Sequence, residues 1–200
     1  MALAALASTE LTARTEALLR ADATRWRCLT AMQALGLPDG WIVAGFLRNL
    51  VWDHRFDTRT GLNDVDVVYF DPVDLGREGE QQLEALLAEA EPQVCWQVRN
   101  QARMHLRHGH APYRDCLDAI SRYPEYETAA GVRLGPNGTL EWLLPFGLEH
   151  NWAGTLTANP TVPLPVFQHR VQQKQWLAIW PELRVVVKEV GPRSDGAPDA

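Results

Sequence analysis

Residues 41–71 of the chain read WIVAGFLRNLVWDHRFDTRTGLNDVDVVYFD. The short apolar run at 41–44 is typical of a buried strand, and the β-branched and aromatic run at 65–70 is typical of another. Between them, Gly45 stops the first strand, and residues 46–52 carry apolar side chains at helical spacing. The sequence therefore predicts a strand, a glycine turn, a short helix, a polar loop and a second strand.

Two features of this block indicate a ligand. A glycine between strand and helix, Gly45, lets a ligand approach the backbone, and the free N–H groups of the helix after it favour an anion such as phosphate. Asp64 and Asp66 stand two residues apart on the second strand, so both carboxylates share one face, with Cα atoms roughly 6–7 Å apart. This spacing suits one or two hard cations held between the carboxylates and a triphosphate. The alternative is a pair of solvated acids.

Composition limits the class of protein. Two hundred residues with 46% hydrophobic content suffice for one domain with a core. The net charge of −6 and the lack of a long basic stretch argue against a long nucleic-acid partner, although Arg55 and Arg59 could meet phosphates. The odd count of three cysteines predicts reduced thiols and a cytoplasmic location, and we expect neither a signal peptide nor a membrane span.

The flanking sequence predicts an α/β fold with a small central mixed sheet flanked by helices, an added β-hairpin and a C-terminal helix. Helices are predicted at 8–35 (one long helix or two consecutive ones, with Asp22 able to cap the second), 74–90, 100–107, 112–121 (with Leu117 and Ile120 inward) and 166–179. Strands are predicted at 94–98, 129–134 and 139–144, the last two forming a hairpin. Asn63 suits a turn, 147–165 looks loop-rich, and 191–200 is predicted to be a disordered tail. We expect one domain over 1–190, with a core at about 25–110 and a C-terminal elaboration at about 111–190.

Several motifs together resemble a bacterial nucleotidyltransferase-like family of the polymerase-beta-like nucleotidyltransferase superfamily. They are AGFLRNLVWD (44–53), LNDVDVVYFD (62–71), VRNQARMH (98–105), ETAAGVRL (127–134) and LLPFGL (143–148), in matching order over roughly residues 25–185. The resemblance implies a polymerase-beta-like fold and transfer of NMP from NTP to an acceptor hydroxyl.

The same resemblance implies roles for particular residues. Asp64 and Asp66 would hold Mg²⁺ (or Mn²⁺), and Gly45 with the backbone of Phe46 would receive the β- and γ-phosphates. Arg48 and Asn49, on the first turn of the helix, could contact phosphate or form surface pairs. The acceptor stays open, with a small molecule or a protein favoured over long nucleic acid.

The chain departs from the superfamily in two places. Its turn is read as Gly45-Phe46, where many members have a second small residue, so the bulky Phe46 side chain must turn away from the ligand. The superfamily usually has a third carboxylate on the next strand, and the residue best placed for that slot is Gln97. Because an amide cannot act as a base near neutral pH, a weakened or inactive nucleotide-binding or protein-interaction module is the alternative function.

Other candidate sites are weaker. His105, His108, His110 and Cys116 suggest zinc, but their spacing fits no closed four-ligand pattern. A metal-dependent phosphohydrolase is a third functional alternative. Whether Arg103 and Arg133 line a cleft or support its walls is left open.

Overall fold

A computed structural model describes residues 2–62 and 64–187, with side chains from Ser8 onward. Its helices are α1 (Ala2–Ala21), α2 (Ala23–Ala34), α3 (Gly45–Arg55), α4 (Arg77–Ala90), α5 (Gln101–His108), α6 (Cys116–Ile120), α7 (Glu149–Ala153), α8 (Leu164–Lys174) and α9 (Trp176–Ile179). Its strands are β1 (Trp41–Val43), β2 (Asp64–Tyr69), β3 (Cys95–Asn100), β4 (Gly131–Leu134), β5 (Leu140–Leu143), β6 (Thr155–Thr157) and β7 (Arg184–Val186). The predicted turn at Asn63 and the predicted disordered tail at 191–200 lie outside the described residues. Within the described ranges, no helix is long and apolar enough to cross a bilayer.

Five strands form a mixed sheet in the order β3-β2-β1-β4-β5. β1 runs antiparallel to both β2 and β4, and β4 runs antiparallel to β5. β2 and β3 run parallel, with α4 as the crossover that a parallel pair requires. The predicted α/β class, with a small central mixed sheet and flanking helices, is confirmed, and β4 and β5 form the predicted hairpin.

The main core packs the first three helices against the sheet. Apolar side chains from α1, α2, α3, β2 and β3 form one buried cluster, which includes Leu19, Leu29, Met32, Phe46, Leu47, Val51, Val65, Val67 and Val98. Asp22 separates α1 from α2, and its carboxylate accepts a hydrogen bond from the Arg25 backbone N–H at 2.9 Å. Asp22 is therefore the predicted helix cap.

A second core joins the C-terminal part of the chain to α3. Trp52 of α3 is fully buried against a cluster formed by Leu156, Ala158, Phe167, Trp176, Trp180 and Leu183. The Trp180 indole Nε1 also donates to Asp53 Oδ1 at 3.0 Å. These contacts hold α8 and α9 in a fixed position relative to α3 and hence relative to the sheet.

Three sequence predictions in the C-terminal half are wrong in part, and one of them is the helix at 166–179, which breaks at Gln175 (φ 53°) into α8 and α9. Residues 147–165 contain α7 and β6, and β6 pairs in parallel with β7 in a separate two-stranded sheet. Both elements are too short to show a hydrophobic period. The helix predicted at 112–121 shortens to α6 because the Asp115 side chain caps it by accepting from Asp118 N–H at 2.7 Å. In the shorter helix Ile120 is buried, as predicted, but Leu117 is 44% exposed.

Candidate active site

The turn after β1 places its unusual backbone at Ala44 rather than at Gly45. Ala44 has φ 61° and ψ −122°, a left-handed conformation that glycine adopts far more readily. Its N–H donates to Ala130 O, and its carbonyl accepts from Arg48 N–H, each at 3.2 Å. Gly45 is already the first residue of α3, so the small pair at this turn is Ala44-Gly45. The interpretation of the turn as Gly45-Phe46 is therefore wrong by one residue.

Phe46 turns its side chain away from the site, as its bulk requires. It is 1% exposed and belongs to the main core. Its backbone N–H, like the others at the start of α3, has no carbonyl partner inside the helix. A Cβ on Gly45 would lie 3.4 Å from Arg48 Nη2 and 3.5 Å from Asn49 Nδ2. Free N–H groups and two polar side chains thus meet at the start of α3, and their binding of phosphate stays a prediction.

The two carboxylates lie beside this turn because of strand register. Asp66 of β2 pairs with Val43 of β1, the residue before Ala44, and on its other side with Gln97 of β3. Asp64 and Asp66 are both half-buried on the same face of β2. The Gln97 side chain occupies that face too, and its Nε2 donates to Asp64 Oδ2 at 3.2 Å.

The surroundings of Asp64 and Asp66 disfavour a negative charge on both carboxylates at once. Burial raises the pKa of Asp66 above its ordinary value, and the neighbouring Asp64 carboxylate raises it further. The positive charges of Arg48, Lys174 and Arg99 lower the pKa of Asp66, with Arg48 having the largest effect, but the pKa remains raised. A bound cation would relieve the repulsion between the carboxylates.

Arg48 is buried, so the alternative of a surface pair is wrong. Its side chain is held by two hydrogen bonds to Asn49 Oδ1, at 3.2 and 3.0 Å, and by one to Thr128 Oγ1 at 2.8 Å. Its guanidinium lies over the rings of Trp176 at 4.6 Å and Trp52 at 5.3 Å. Burial lowers the pKa of Arg48 to about 10, which still leaves it charged at neutral pH. Arg48 is thus a buried positive charge close to Asp66.

The carboxylates open into a cleft of about 700 Å³. Ala44, Asp64, Asp66 and Gln97 line its sheet side. Several other lining residues have no role that the sequence alone indicates, and they come from the segment between α6 and β4 and from α8: Arg122, Tyr123, Thr128, Val166, Arg170 and Lys174. The spacing of the three α8 residues, four apart, is the signal in the sequence that places them on one face of the helix.

The donor chemistry fits Mg²⁺ (or Mn²⁺). Asp64 and Asp66 supply carboxylate oxygens, and Mg²⁺ is commonly bound by one or two carboxylates together with water and substrate phosphates. Among the side chains that the structure describes, no group of three or more His, Cys, Asp and Glu residues could hold a metal. The site therefore offers two carboxylates, with the Gln97 amide beside them.

The histidines considered for zinc lie around Tyr113, whose ring centroid is 6.2 Å from that of His105 and 5.8 Å from that of His110. His108 and His110 line the cleft, with ring centroids 5.8 Å apart, and His110 Nδ1 lies 2.7 Å from the Tyr113 hydroxyl. Cys116 is buried, and its Sγ lies 3.1 Å from Asp39 O. These groups are not arranged as ligands of one ion.

Arg103 and Arg133 form salt bridges away from this cleft, and Arg133 lines a second, smaller cavity. Arg103 pairs with the buried Glu80 of α4, with its Nε 2.8 Å from Oε1. Arg133 pairs with Glu141 across β4 and β5, and its guanidinium lies 4.1 Å from the Trp41 ring centroid. Neither side chain lines the cleft.

Comparison with known proteins adds two findings to this geometry. The sequence model of a protein family described as "Nucleotidyltransferase" matches residues 30–185. One solved structure, described with the words "The NMR structure of the protein reveals a CCA-adding enzyme head domain", is 32% identical in sequence. Its TM-score is 0.76, and the match covers 85% of this chain and 93% of that chain. No curated protein matches the chain.

Proposed function

Because this chain belongs to the nucleotidyltransferase family, we propose that it transfers a nucleoside monophosphate from an NTP to an acceptor hydroxyl. The observation that carries the proposal is the half-buried pair Asp64 and Asp66, which opens into the cleft next to the start of α3. Helix N–H groups on one side and carboxylates on the other suit a magnesium-bound triphosphate.

In this reaction the acceptor oxygen attacks the α-phosphorus. The bond from that phosphorus to the oxygen bridging to the β-phosphate breaks, and pyrophosphate leaves. Asp64 and Asp66 would hold Mg²⁺ (or Mn²⁺), which supplies neutralisation of the triphosphate charge. The start of α3, from Gly45 and Phe46 onward, would receive the β- and γ-phosphates. The acceptor hydroxyl loses its proton to a carboxylate or to water, because the Gln97 amide cannot take it.

Gln97 is the observation that favours a second candidate function. It stands in register with Asp66, where a third carboxylate would complete the acidic set, and it donates to Asp64 instead. A protein with this arrangement could bind a nucleotide and catalyse little or no transfer. The two candidates share the nucleotide site and differ only in turnover.

The acceptor and the location follow from the chain's general properties. The net charge of −6 supports a small-molecule or protein acceptor over a long nucleic acid. We place the protein in the cytoplasm because Cys28, Cys95 and Cys116 are free thiols.

Calorimetric titration of each NTP, with and without Mg²⁺, tests the nucleotide site. We expect magnesium-dependent binding to the wild type and its loss in the double variant Asp64→Asn/Asp66→Asn. Asp57→Asn, at an exposed loop residue outside the cleft, is the matched control and should bind like the wild type. A wild type that binds no NTP, or a double variant that still binds, would overturn the proposal.

A pyrophosphate-release assay on the same proteins and on Gln97→Glu separates the two candidate functions. The assay offers small-molecule, protein and short RNA acceptors in turn. Transfer by the wild type supports the enzyme. If only Gln97→Glu releases pyrophosphate, the binding module is correct. Release of phosphate in place of pyrophosphate would indicate a phosphohydrolase.

A further inference from the structure

Helix α8 presents a row of three side chains to the cleft. Val166, Arg170 and Lys174 recur every fourth residue, and all three line the cleft. Residues four apart lie on one face of a helix, and a rise of 1.5 Å per residue makes this row roughly 12 Å long. The row changes in polarity along its length, from apolar at Val166 to cationic at Arg170 and Lys174.

The apolar end of the row continues into the segment before the helix. Val162 and Pro163 line the same cleft just ahead of α8. Val166 is 44% exposed although it is apolar. This part of the wall therefore offers carbon atoms and no charge to whatever enters the cleft.

The cationic end is fixed in two different ways. Arg170 donates from Nε to Glu125 Oε1 at 2.7 Å and from Nη2 to Oε2 at 3.2 Å, and Glu125 is fully buried. This bidentate pair leaves Arg170 well positioned but largely neutralised. Lys174 forms no salt bridge with any residue in the described ranges. Lys174 and Asp66 line the same cleft, so the free charge of Lys174 faces the cavity into which Asp66 opens.

We propose that α8 fixes the direction in which the nucleoside triphosphate lies in the cleft. Lys174, with Arg170 beside it, binds the triphosphate next to Asp66, and the nucleoside lies along Val166 and Val162. This proposal rests on the proposed function. It gives the C-terminal elaboration a substrate-positioning role, with Lys174 as the cation that distinguishes a triphosphate from a monophosphate.

Lys174 also has an ordinary structural role available. It occupies the last turn of α8, where a positive charge stabilises the helix C-terminus. A lysine with only that role would affect folding without changing the preference for a triphosphate. The test must therefore compare nucleotides that differ only in phosphate number.

The experiment is calorimetric titration of ATP and AMP, each with Mg²⁺, into the wild type and Lys174→Ala. We expect ATP to bind at least about tenfold more weakly to the variant, as befits a lost charged hydrogen bond, and AMP to change less than about twofold. Arg77→Ala also removes one positive charge, at an exposed residue outside the cleft, and should leave both affinities unchanged. Equal changes for ATP and AMP in Lys174→Ala, or no change in either, would overturn the proposal.

Val166→Ala tests the other end of the row. We expect it to weaken ATP and AMP by the same factor, because both carry the same nucleoside. A loss confined to ATP would place the phosphates at Val166 and would refute the stated direction. A wild type that binds no ATP would refute the proposed function itself, whereas ATP binding that is insensitive to Lys174→Ala would refute only the role of α8.

Discussion

At the scale of single residues, Ala44 occupies a backbone conformation that suits another residue type. Its φ of 61° and ψ of −122° cost an L-residue about 1–3 kcal/mol, whereas glycine has no Cβ to clash. We expect Ala44→Gly to raise the free energy of unfolding by about 1 kcal/mol, after subtraction of the greater freedom of glycine in the unfolded chain. Urea denaturation at constant pH would measure the change.

The control for Ala44 is an alanine in an ordinary helical conformation. Ala85 is exposed in the interior of α4, where Ala85→Gly should lower the free energy of unfolding by about 1 kcal/mol. The two substitutions are chemically identical and should have opposite signs. A loss of stability in Ala44→Gly would show that the turn is not strained.

Sequence reasoning reached the carboxylates but not the turn, for a physical reason. Alternate strand residues must share a face, so Asp64 and Asp66 could be paired, and Gln97 could be placed beside them, without coordinates. The conformation of Ala44 depends on its hydrogen bond to Ala130, a residue 86 positions away in the chain. Glycine adopts a positive φ more readily than alanine, so the local sequence indicates Gly45 as the turn residue although the positive φ is at Ala44.

At the scale of elements, β6 is attached to the rest of the fold through the buried carboxylate of Glu127. Both of its oxygens accept from Thr157 N–H, at 3.0 and 2.9 Å, and Oε1 also accepts from Thr155 Oγ1 at 2.8 Å. Burial raises the pKa of Glu127, although these hydrogen bonds lower it in part. We expect Glu127→Ala to cost about 3 kcal/mol in the free energy of unfolding, because it leaves buried donors without their acceptor.

Urea denaturation measures the free energy of unfolding of Glu127→Ala and of the control Glu182→Ala. Glu182 is exposed, so its loss should change stability by less than about 0.5 kcal/mol. Glu127→Gln should fall between the two, since the amide oxygen can still accept. Similar small losses in both alanine variants would contradict the anchoring role.

Whether a helix or strand could be predicted depends on how clearly its own residues show an apolar pattern. Most helices and strands of the N-terminal half follow from the sequence because their apolar residues either recur at helical spacing or form short apolar and β-branched runs. The pairing of β6 with β7 does not follow from the sequence because it depends on Glu127, which holds β6 from a separate part of the chain; β1 is equally short but is recognisable as an apolar run before a glycine. The positions of Arg170 and Lys174 in the cleft were missed because they depend on how α8 packs on Trp52.

At the scale of the whole molecule, the cleft depends on contacts between distant parts of the chain. β4 pairs with β1, and α8 and α9 pack on α3 through the cluster around Trp52. The walls of the cleft therefore come from both the predicted core and the predicted C-terminal elaboration. If the two regions form one domain, as the sequence predicts, they should unfold together.

Trp180→Ala tests that cooperativity because Trp180 connects the C-terminal region to α3. Its side chain is 1% exposed, lies 5.1 Å from the Trp52 ring centroid and donates to Asp53. We expect a loss of about 3–5 kcal/mol in the free energy of unfolding, as for other buried aromatic truncations. In urea, far-UV circular dichroism and tryptophan fluorescence should give coincident transitions, both moved to lower concentration. Leu177→Ala, at a residue that is 38% exposed in α9 just before Trp180, should move them much less. If Trp180→Ala instead separates the two probes into an early and a late transition, the C-terminal region unfolds as a unit of its own, and the cleft lies between two domains.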